Sequence, residues 1–325
     1  MTINGLDSKV FLAPMAGITD KPMRQLVHSF GAGNIVSEMV AINALSRKNA
    51  KTYRIADVRD ESYPVIVQLV GSDPKLFADS AKLAEELGAY SIDINMGCPV
   101  KKIVANKSGS YLMRDMPLAA EIIKEVKKAV ELPVSVKFRK GWDHSSANAR
   151  EFAKMCEDCG AAYVTVHGRT RSDFYSGMAD WDVIAEVKQA VKIPVIGNGD
   201  VDSPLKAKEM LDYTKADGVM VGRAALGHPW LIAQIHNYLE TGVEPEKVSI
   251  QLVKETLLSH IKGLEAYYGE KLALALSRKY VCWYCKNLRD ARKFRENYVR
   301  LNDMAAALAE INSFFTEDSL EQERS

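Results

Sequence analysis

The feature of this 325-residue chain that most restricts its fold is a regular alternation of short β-branched runs with amphipathic helical stretches. In the helical stretches, such as residues 74–87 and 118–130, apolar residues recur every three or four positions. Eight strand–helix units predict an α/β fold, a closed (β/α)8 TIM barrel of parallel strands. The predicted strands cover residues 10–12, 35–37, 65–70, 91–95, 134–138, 163–167, 195–198 and 218–221.

An open doubly wound sheet is the alternative architecture for alternating strands and helices. Such a sheet would normally carry a G-x-G-x-x-G turn after its first strand. Residues 13–17 read Ala-Pro-Met-Ala-Gly, which is not that turn. The barrel is therefore favoured.

Polar and small residues follow most of the predicted strands. In a barrel the carboxyl ends of all strands open onto one mouth, so we expect these side chains to form one site. The glycine-containing loops after the seventh and eighth strands offer free backbone N–H groups, which favours a phosphorylated ligand. The candidate mouth residues are Pro14, Met15, Ala16, Gly17, Gln68, Asn95, Cys98, Lys137, Arg139, His167, Gly168, Arg169, Arg171, Asn198, Gly199, Asp200, Gly222 and Arg223.

Cys98 is the candidate reactive group of this mouth. It lies in a Gly-Cys-Pro turn directly after the fourth predicted strand, with Lys101 and Lys102 close behind. A turn of this kind predicts an exposed thiol, and nearby cations favour reactivity. The alternative is a small buried hydrophobic residue, the more usual state of a free cysteine.

Lys137 and His167 each allow two interpretations. Lys137 interrupts an otherwise apolar strand, and a buried lysine needs an anionic partner or a chemical use. It could hold the electron-rich edge of a cofactor or form a Schiff base. His167 could be a core histidine, but the Gly-Arg-Thr-Arg sequence that follows favours a site residue.

The five cysteines argue against a disulfide framework and a structural zinc site. Two C-x-x-C pairs, at 156/159 and 282/285, are far apart in sequence and lie in helix-like stretches, so we expect no metal. The sequence shows neither an export signal nor a membrane-spanning run, which predicts a cytoplasmic protein without a membrane partner.

The domain prediction follows from a change of pattern near residue 240. Residues 1–239 form the predicted barrel domain, and the Gly- and Pro-containing segment 240–247 is a predicted linker. Helical apolar stripes then predict a C-terminal helical bundle over residues 248–316. Residues 317–325 are a predicted acidic flexible tail.

The helical bundle concentrates positive charge. Between Ser277 and Arg300 there are eight lysines and arginines against two acidic residues, whereas the whole chain has a net charge of +1. Interleaved aromatic residues could stack on splayed bases while the cations neutralise phosphates, a combination suited to structured RNA. The alternative is a solvated helix face with aromatic residues in the core. The aromatic residues are Tyr280, Trp283, Tyr284, Phe294 and Tyr298.

Six motifs in order resemble the bacterial tRNA-dihydrouridine synthases, most closely their B-type subfamily. The similarity covers nearly the whole chain. The motifs are Ala-Pro-Met-Ala-Gly-Ile-Thr-Asp at 13–20, Asn-Met-Gly-Cys-Pro at 95–99, Val-Lys-Phe-Arg at 136–139, His-Gly-Arg-Thr-Arg at 167–171, Gly-Asn-Gly-Asp at 197–200 and Gly-Arg-Ala-Ala-Leu-Gly-His-Pro-Trp at 222–230.

The resemblance implies an FMN-binding barrel and a tRNA-gripping helical domain. The implied reaction is reduction of the 5,6 double bond of D-loop uridines, with hydride from reduced FMN, a proton from Cys98 and NADPH as reductant. Cofactor-binding residues would be Pro14, Met15, Ala16, Gln68, Lys137, His167, Asn198, Gly199, Asp200, Gly222 and Arg223. Asn95 and Arg139 would orient the uracil, and further tRNA contacts would be Lys101, Lys102, Arg171, Arg278, Lys279, Lys286, Arg289 and Arg292.

Two other functions fit parts of the sequence. A flavin barrel acting on a free pyrimidine-type metabolite explains the barrel motifs but gives the basic bundle no role. A non-catalytic RNA-binding protein explains the bundle but not the intact Cys98, Lys137 and His167. A monomer is the default expectation.

Overall fold

The computed structural model describes residues 5, 8–31 and 33–319, without the side chain of residue 318. In the predicted acidic tail, Glu317–Ser319 forms one short 3-10 helix, and residues 320–325 lie outside the described residues.

Parallel strands form a closed barrel, as predicted. Eight of the nine strands in the described residues form the ring, which the pairing of the second strand with the fourth completes. The remaining strand, β3, was not predicted and pairs Val40 with Leu69 at the end of β4. The strands are β1 Val10–Leu12, β2 Asn34–Val36, β3 Val40–Ala41, β4 Val65–Val70, β5 Ser91–Met96, β6 Val134–Gly141, β7 Tyr163–Thr170, β8 Val195–Asn198 and β9 Gly218–Val221.

Helices α1 to α10 accompany the barrel, and α11 to α14 follow it. Short 3-10 helices cover Gly109–Arg114, His144–Ser146 and Arg223–Ala225. The α-helices are α1 Lys21–Ser29, α2 Ile42–Ser46, α3 Ala50–Ala56, α4 Pro74–Glu86, α5 Lys101–Val104, α6 Met116–Ala129, α7 Ala149–Asp158, α8 Trp181–Ala190, α9 Pro204–Thr214, α10 Leu231–Thr241, α11 Ile250–Tyr268, α12 Glu270–Tyr284, α13 Ala291–Tyr298 and α14 Met304–Phe314.

Several helices begin where the sequence supplies a capping side chain. The Asp73 carboxylate accepts a hydrogen bond from the Leu76 N–H, and Pro74 occupies the first turn of α4. The Ser203 hydroxyl accepts from the Lys206 N–H at the start of α9. These side chains satisfy N–H groups that have no partner within the helix, which fixes where the helix starts.

The strands carry different chemistry at their two ends. Side chains alternate across each strand, so every second residue points into the barrel. A small cluster that includes Phe11, Ile66, Tyr163 and Ile196 fills the interior. Further along the same faces towards the carboxyl ends, interior positions become polar, as at Gln68 two residues beyond Ile66. The barrel thus has an apolar base and a polar mouth.

Helices α11 to α14 have their own hydrophobic core, which includes Trp230 from the barrel segment. Helix α10 runs two residues into the predicted linker, and residues 242–249 contain no helix. The loop after β9 packs closely on α12: a Cβ built on Gly227 would lie 2.6 Å from the Trp283 carbonyl carbon. This contact places the helical unit beside the barrel mouth. Within the described residues, no helix is long and apolar enough to cross a membrane.

Candidate active site

A cavity of about 860 Å³ opens at the barrel mouth. A second cavity of about 870 Å³ lies beside Trp181 and Tyr213 and includes only Asp200 of the predicted residues. The mouth cavity brings together fourteen residues to which the sequence assigned a role, from six strand ends and the helical unit. They are Pro14, Met15, Ala16, Asn95, Cys98, Lys137, Arg139, His167, Asn198, Gly199, Asp200, Gly222, Arg223 and Lys286.

The Cys98 thiol lines this cavity, but the prediction of an exposed thiol is wrong, because only 8% of the residue is exposed. The loop is folded inward and held by hydrogen bonds. The Cys98 carbonyl accepts from the Ser110 N–H at 3.1 Å and from its hydroxyl at 2.9 Å. The Cys98 N–H donates to Asn95 Oδ1 at 2.9 Å. The Gly-Cys-Pro sequence predicted the turn correctly but contained no signal for the contact with Ser110.

Burial raises the pKa of the Cys98 thiol above its ordinary value. The Val100 N–H and the charges of Arg139 and Lys137 act in the opposite direction but do not outweigh burial. The thiol is therefore protonated at neutral pH. These groups would also stabilise the thiolate left after the thiol gives up its proton, so the environment suits an acid more than a nucleophile.

Arg139 joins the loop after β5 to the loop after β7. Its Nε donates to the Gly97 carbonyl at 2.8 Å, and its Nη1 donates to the carbonyls of Thr170 and Phe174 at 2.9 and 2.8 Å. Both β6 and β7 are longer than predicted, so Arg139 and His167 lie within paired strands. This pairing gives both side chains a rigid base.

Lys137 and His167 provide one cation and one neutral ring at the mouth. Lys137 Nζ donates to Asn198 Oδ1 at 3.0 Å, and burial, with a smaller effect of Arg139, lowers its pKa to about 8. Burial and nearby cations hold the pKa of His167 well below its ordinary value, so the imidazole is neutral. Arg169 Nη1 lies 3.4 Å from His167 Nε2. Because a guanidinium only donates, Nε2 accepts and the ring proton is on Nδ1.

Asp200 organises the loop after β8. Its carboxylate accepts two hydrogen bonds from Arg169 Nη2, both at 2.8 Å, and one from Arg223 at 3.3 Å. A Cβ on Gly199 would lie 2.4 Å from the Ala179 Cβ, whereas one on Gly222 would meet only Ala13, at 3.6 Å. The Gly222 backbone is therefore open towards the cavity.

The sequence placed Arg169 at the mouth without assigning it a role, and it gave no prediction for Tyr175. Arg169 is buried, and the Arg-Thr-Arg sequence after His167 already contained its signal. Tyr175 is 54% exposed, and its ring centre lies 5.5 Å from the Arg139 guanidinium and 5.0 Å from that of Arg223. The one sequence signal for Tyr175 was its position in a long loop after a predicted barrel strand.

Some predicted site residues lie outside the cavity lining. Gln68 is completely buried and bonds to Asp93 and Asn95. Lys101 and Lys102 are exposed on α5. The Arg171 guanidinium lies 4.6 Å from the centre of the Trp142 ring.

The predicted basic residues of the helical unit have different surroundings. Lys279 Nζ donates to the Gly17 carbonyl, and the Gly17 N–H donates to the Glu38 carboxylate. Arg278 donates to the Leu301 carbonyl at 3.1 Å. The other two predicted contacts are exposed, and one of them pairs with a glutamate on its own helix; they are Arg289 and Arg292.

The aromatic residues of the helical unit are mostly core residues. The hypothesis that they stack on bases is wrong for four of them, because spacing of four residues along α12 and α13 directs them into the bundle. Trp283 is half-buried. The four buried residues are Tyr280, Tyr284, Phe294 and Tyr298.

Comparison with known proteins identifies the family. The family model described as "Dihydrouridine synthase (Dus)" matches residues 11–319. The chain belongs to the dihydrouridine synthase family. The resemblance inferred from the sequence motifs is thereby confirmed.

Two bacterial relatives illustrate the similarity. The chain is 47% identical over 312 residues to a "Probable tRNA-dihydrouridine synthase" of Rickettsia bellii, covering 96% of each protein. It is 44% identical over 314 residues to "tRNA-dihydrouridine synthase B" of Pseudomonas aeruginosa, covering 96% of this chain and 94% of the relative. The dihydrouridine synthase similarity therefore extends through both the barrel and the helical unit.

Solved structures support the fold. Histamine dehydrogenase from Rhizobium sp. 4-9 matches with a TM-score of 0.57 at 14% identity, over 81% of this chain and 50% of that one. A morphinone reductase in complex with tetrahydroNAD matches with a TM-score of 0.55 at 14% identity, over 76% and 91%. At 14% sequence identity, these matches support only the barrel fold of this dihydrouridine synthase.

Proposed function

We propose that this protein is an FMN-dependent tRNA-dihydrouridine synthase that reduces the 5,6 double bond of D-loop uridines. The single observation that carries the proposal is a buried, protonated thiol, Cys98, on the wall of a cavity that also holds a cation, Lys137, and a neutral imidazole, His167. Membership of the dihydrouridine synthase family and the names of the relatives support the same reaction.

The mouth residues fit an FMN molecule. A volume of about 860 Å³ is in the range of cofactor sites. Lys137 could donate to the electron-rich edge of the ring, and His167 Nδ1–H could donate nearby. The loops after β8 and β9 would hold the phosphate, because Gly222 leaves its backbone uncovered and Arg223 supplies a positive charge. When bound, reduced FMN would supply the hydride, and NADPH is the proposed reductant.

Cys98 would donate the proton. Its pKa is raised by burial, so the proton is retained until a basic carbon atom is presented to it. The Val100 N–H and the Arg139 cation would then stabilise the thiolate. General acid catalysis of this kind contributes roughly a hundredfold or more to a rate.

The helical unit would bind the tRNA. In this proposal residues 1–239 are the catalytic domain and residues 248–316 the tRNA-binding domain. Exposed cations would contact phosphates, and Lys286 would lie beside the nucleotide that enters the cavity. A uridine must leave its stack to reach the barrel mouth, so phosphate contacts would offset the stacking loss. The other proposed contacts are Lys101, Lys102, Arg171, Arg289 and Arg292.

The test compares three proteins: the wild type, Cys98→Ala and Cys98→Ser. Wild-type protein should be yellow, contain FMN and form dihydrouridine in tRNA with NADPH, but not in free uridine. Cys98→Ala should keep FMN and lose about 99% of the rate, whereas Cys98→Ser should retain weak activity because a hydroxyl can also carry a proton.

Two results would refute the proposal. Failure of the wild-type protein to bind FMN would refute the proposed FMN dependence. Equal turnover of free uridine and tRNA would instead favour an enzyme of small metabolites. Equal loss in the Ser and Ala variants would withdraw only the proton-donor role of Cys98. The monomeric state stays a prediction.

A further inference from the structure

A continuous line of buried hydrogen bonds connects the barrel interior to the Cys98 loop. Gln68 Nε2 donates to Asp93 Oδ2 at 2.6 Å. Asn95 Nδ2 donates to Gln68 Oε1 at 2.8 Å. The Cys98 and Gly97 N–H groups donate to Asn95 Oδ1 at 2.9 and 3.2 Å.

The side chains of this line have little freedom to move. Asp93 is 3% exposed, and it lies directly beside Gln68 on β4 and Ser135 on β6 in the strand register. The Ser135 hydroxyl donates to Asp93 Oδ1 at 2.6 Å. Each carboxylate oxygen therefore has a donor, as a buried carboxylate requires.

The bonds of the line run in one direction, which is fixed at both ends, because the Asp93 carboxylate accepts and the backbone N–H groups of Gly97 and Cys98 only donate. A carboxylate only accepts, so the NH2 group of Gln68 must turn towards Asp93. The Gln68 oxygen is then left for the NH2 group of Asn95. This leaves the Asn95 oxygen for the backbone N–H of Cys98, which is the bond that holds the thiol loop.

We propose that Asp93 is a positioning residue that holds the buried end of this line and thereby fixes the place of Cys98. The inference rests on the proposed function for its catalytic consequence, since Cys98 matters there as the proton donor. Asp93 itself acts only through Gln68 and Asn95.

An alanine at position 93 cannot accept, so it leaves the buried NH2 group of Gln68 without its partner and frees Gln68 to move. Asn95 then loses its fixed contact with Gln68, and the bond from the Cys98 N–H to the Asn95 oxygen weakens. An asparagine can keep its oxygen towards Gln68, because the Ser135 hydroxyl can accept from its NH2 group. Loss of one hydrogen bond corresponds to about tenfold in a rate that depends on the position of Cys98.

The experiment uses full-length protein and the variants Asp93→Ala, Asp93→Asn and Ser135→Ala. Asp93→Ala should form dihydrouridine at least about tenfold more slowly, and iodoacetamide should alkylate Cys98 faster than in the wild type, measured by mass spectrometry of the Cys98 peptide. Ser135→Ala is the matched control, because it removes a bond to Asp93 without removing the acceptor of Gln68.

Asp93→Asn supplies the decisive result. Its amide oxygen can accept from the Gln68 NH2 group, which keeps the line to the Cys98 N–H intact. We expect slow, wild-type-like alkylation of Cys98 in this variant. Such behaviour would not follow if Asp93 served only as a buried charge.

The proposal is overturned if Asp93→Ala alkylates like the wild type, if Ser135→Ala behaves like Asp93→Ala, or if Asp93→Asn alkylates no more slowly than Asp93→Ala. If Asp93→Ala does not fold, Asp93→Asn must fold and show wild-type alkylation, and its failure is equally decisive. The alkylation rate needs neither tRNA nor NADPH. An absence of dihydrouridine formation in wild-type protein would therefore refute the proposed function without deciding the role of Asp93.

Discussion

Replacing Gly109 by alanine should displace the Cys98 loop directly. Gly109 has a φ of +61°, and a Cβ there would lie 2.8 Å from the Cys98 carbonyl oxygen and 3.1 Å from the Cys98 Cβ. A third atom, Ile103 Cγ2, would lie 2.9 Å away. The same Cys98 carbonyl accepts both hydrogen bonds from Ser110. The added methyl group must therefore move the loop or break these bonds.

The expected magnitude separates into two effects. An alanine in the left-handed region costs about 1 kcal/mol, and overpacking adds about 1–3 kcal/mol. Gly242→Ala is a matched control, because Gly242 has a φ of +72° and a Cβ there would meet no atom within 4 Å. We expect a loss in the free energy of unfolding of about 2–4 kcal/mol for Gly109→Ala and about 1 kcal/mol for the control.

Urea denaturation measures the stability difference, and single-turnover formation of dihydrouridine measures the effect on chemistry. Displacing a catalytic group by a fraction of an ångström to 1 Å should slow that step about tenfold to a hundredfold in Gly109→Ala. The control should keep the wild-type rate, since Gly242 follows α10 and lies outside the residues of the mouth cavity. If both variants lose the same stability and neither slows the reaction, the argument from the close packing of Gly109 fails.

Two further predictions concern positively charged residues at the mouth and on the helical unit. The pKa of Lys137 is lowered to about 8, so its ammonium group is charged below that pH and neutral above it. The affinity of flavin-free protein for FMN, measured by quenching of flavin fluorescence, should therefore fall as pH rises through about 8. Lys137→Met should bind weakly without this step, and a step of equal size in the variant would contradict the assignment. Lys279→Met removes the hydrogen bond to the Gly17 carbonyl, which directly follows the proposed flavin contacts Pro14, Met15 and Ala16. It should therefore lower FMN affinity and cost about 1 kcal/mol of stability. Arg292→Met should lower only tRNA affinity in a gel-shift assay, and equal loss of FMN affinity in both variants would refute the distinction.

Much of the barrel was predictable because parallel strands and their helices leave periodic patterns in the sequence. The eight ring strands lie within a few residues of their predicted positions. The short strand β3 was missed because two residues carry no periodicity. The extension of β6 to Gly141 was missed because its last residues are polar and depend on pairing with β7.

The mouth was predictable because the carboxyl ends of the strands converge, so residues far apart in sequence could be grouped. The burial of Cys98 was not predictable, since it depends on Ser110 in a different segment. The role of Gln68 was similarly hidden, because a sequence does not show that its two polar groups are both engaged within the barrel. The basic bundle was correctly located, but its spacing alone could not separate core aromatic residues from surface ones.

The close packing of Gly227 against the backbone of Trp283 has a consequence for how this architecture can diversify. Backbone lies against backbone at this contact, so no side chain can act as a spacer there. The exposed cations Arg289 and Arg292 can change without disturbing this contact. In the proposed function, affinity for tRNA would therefore change gradually through surface substitutions, whereas a new position of the helical unit on the barrel would require this contact to be rebuilt.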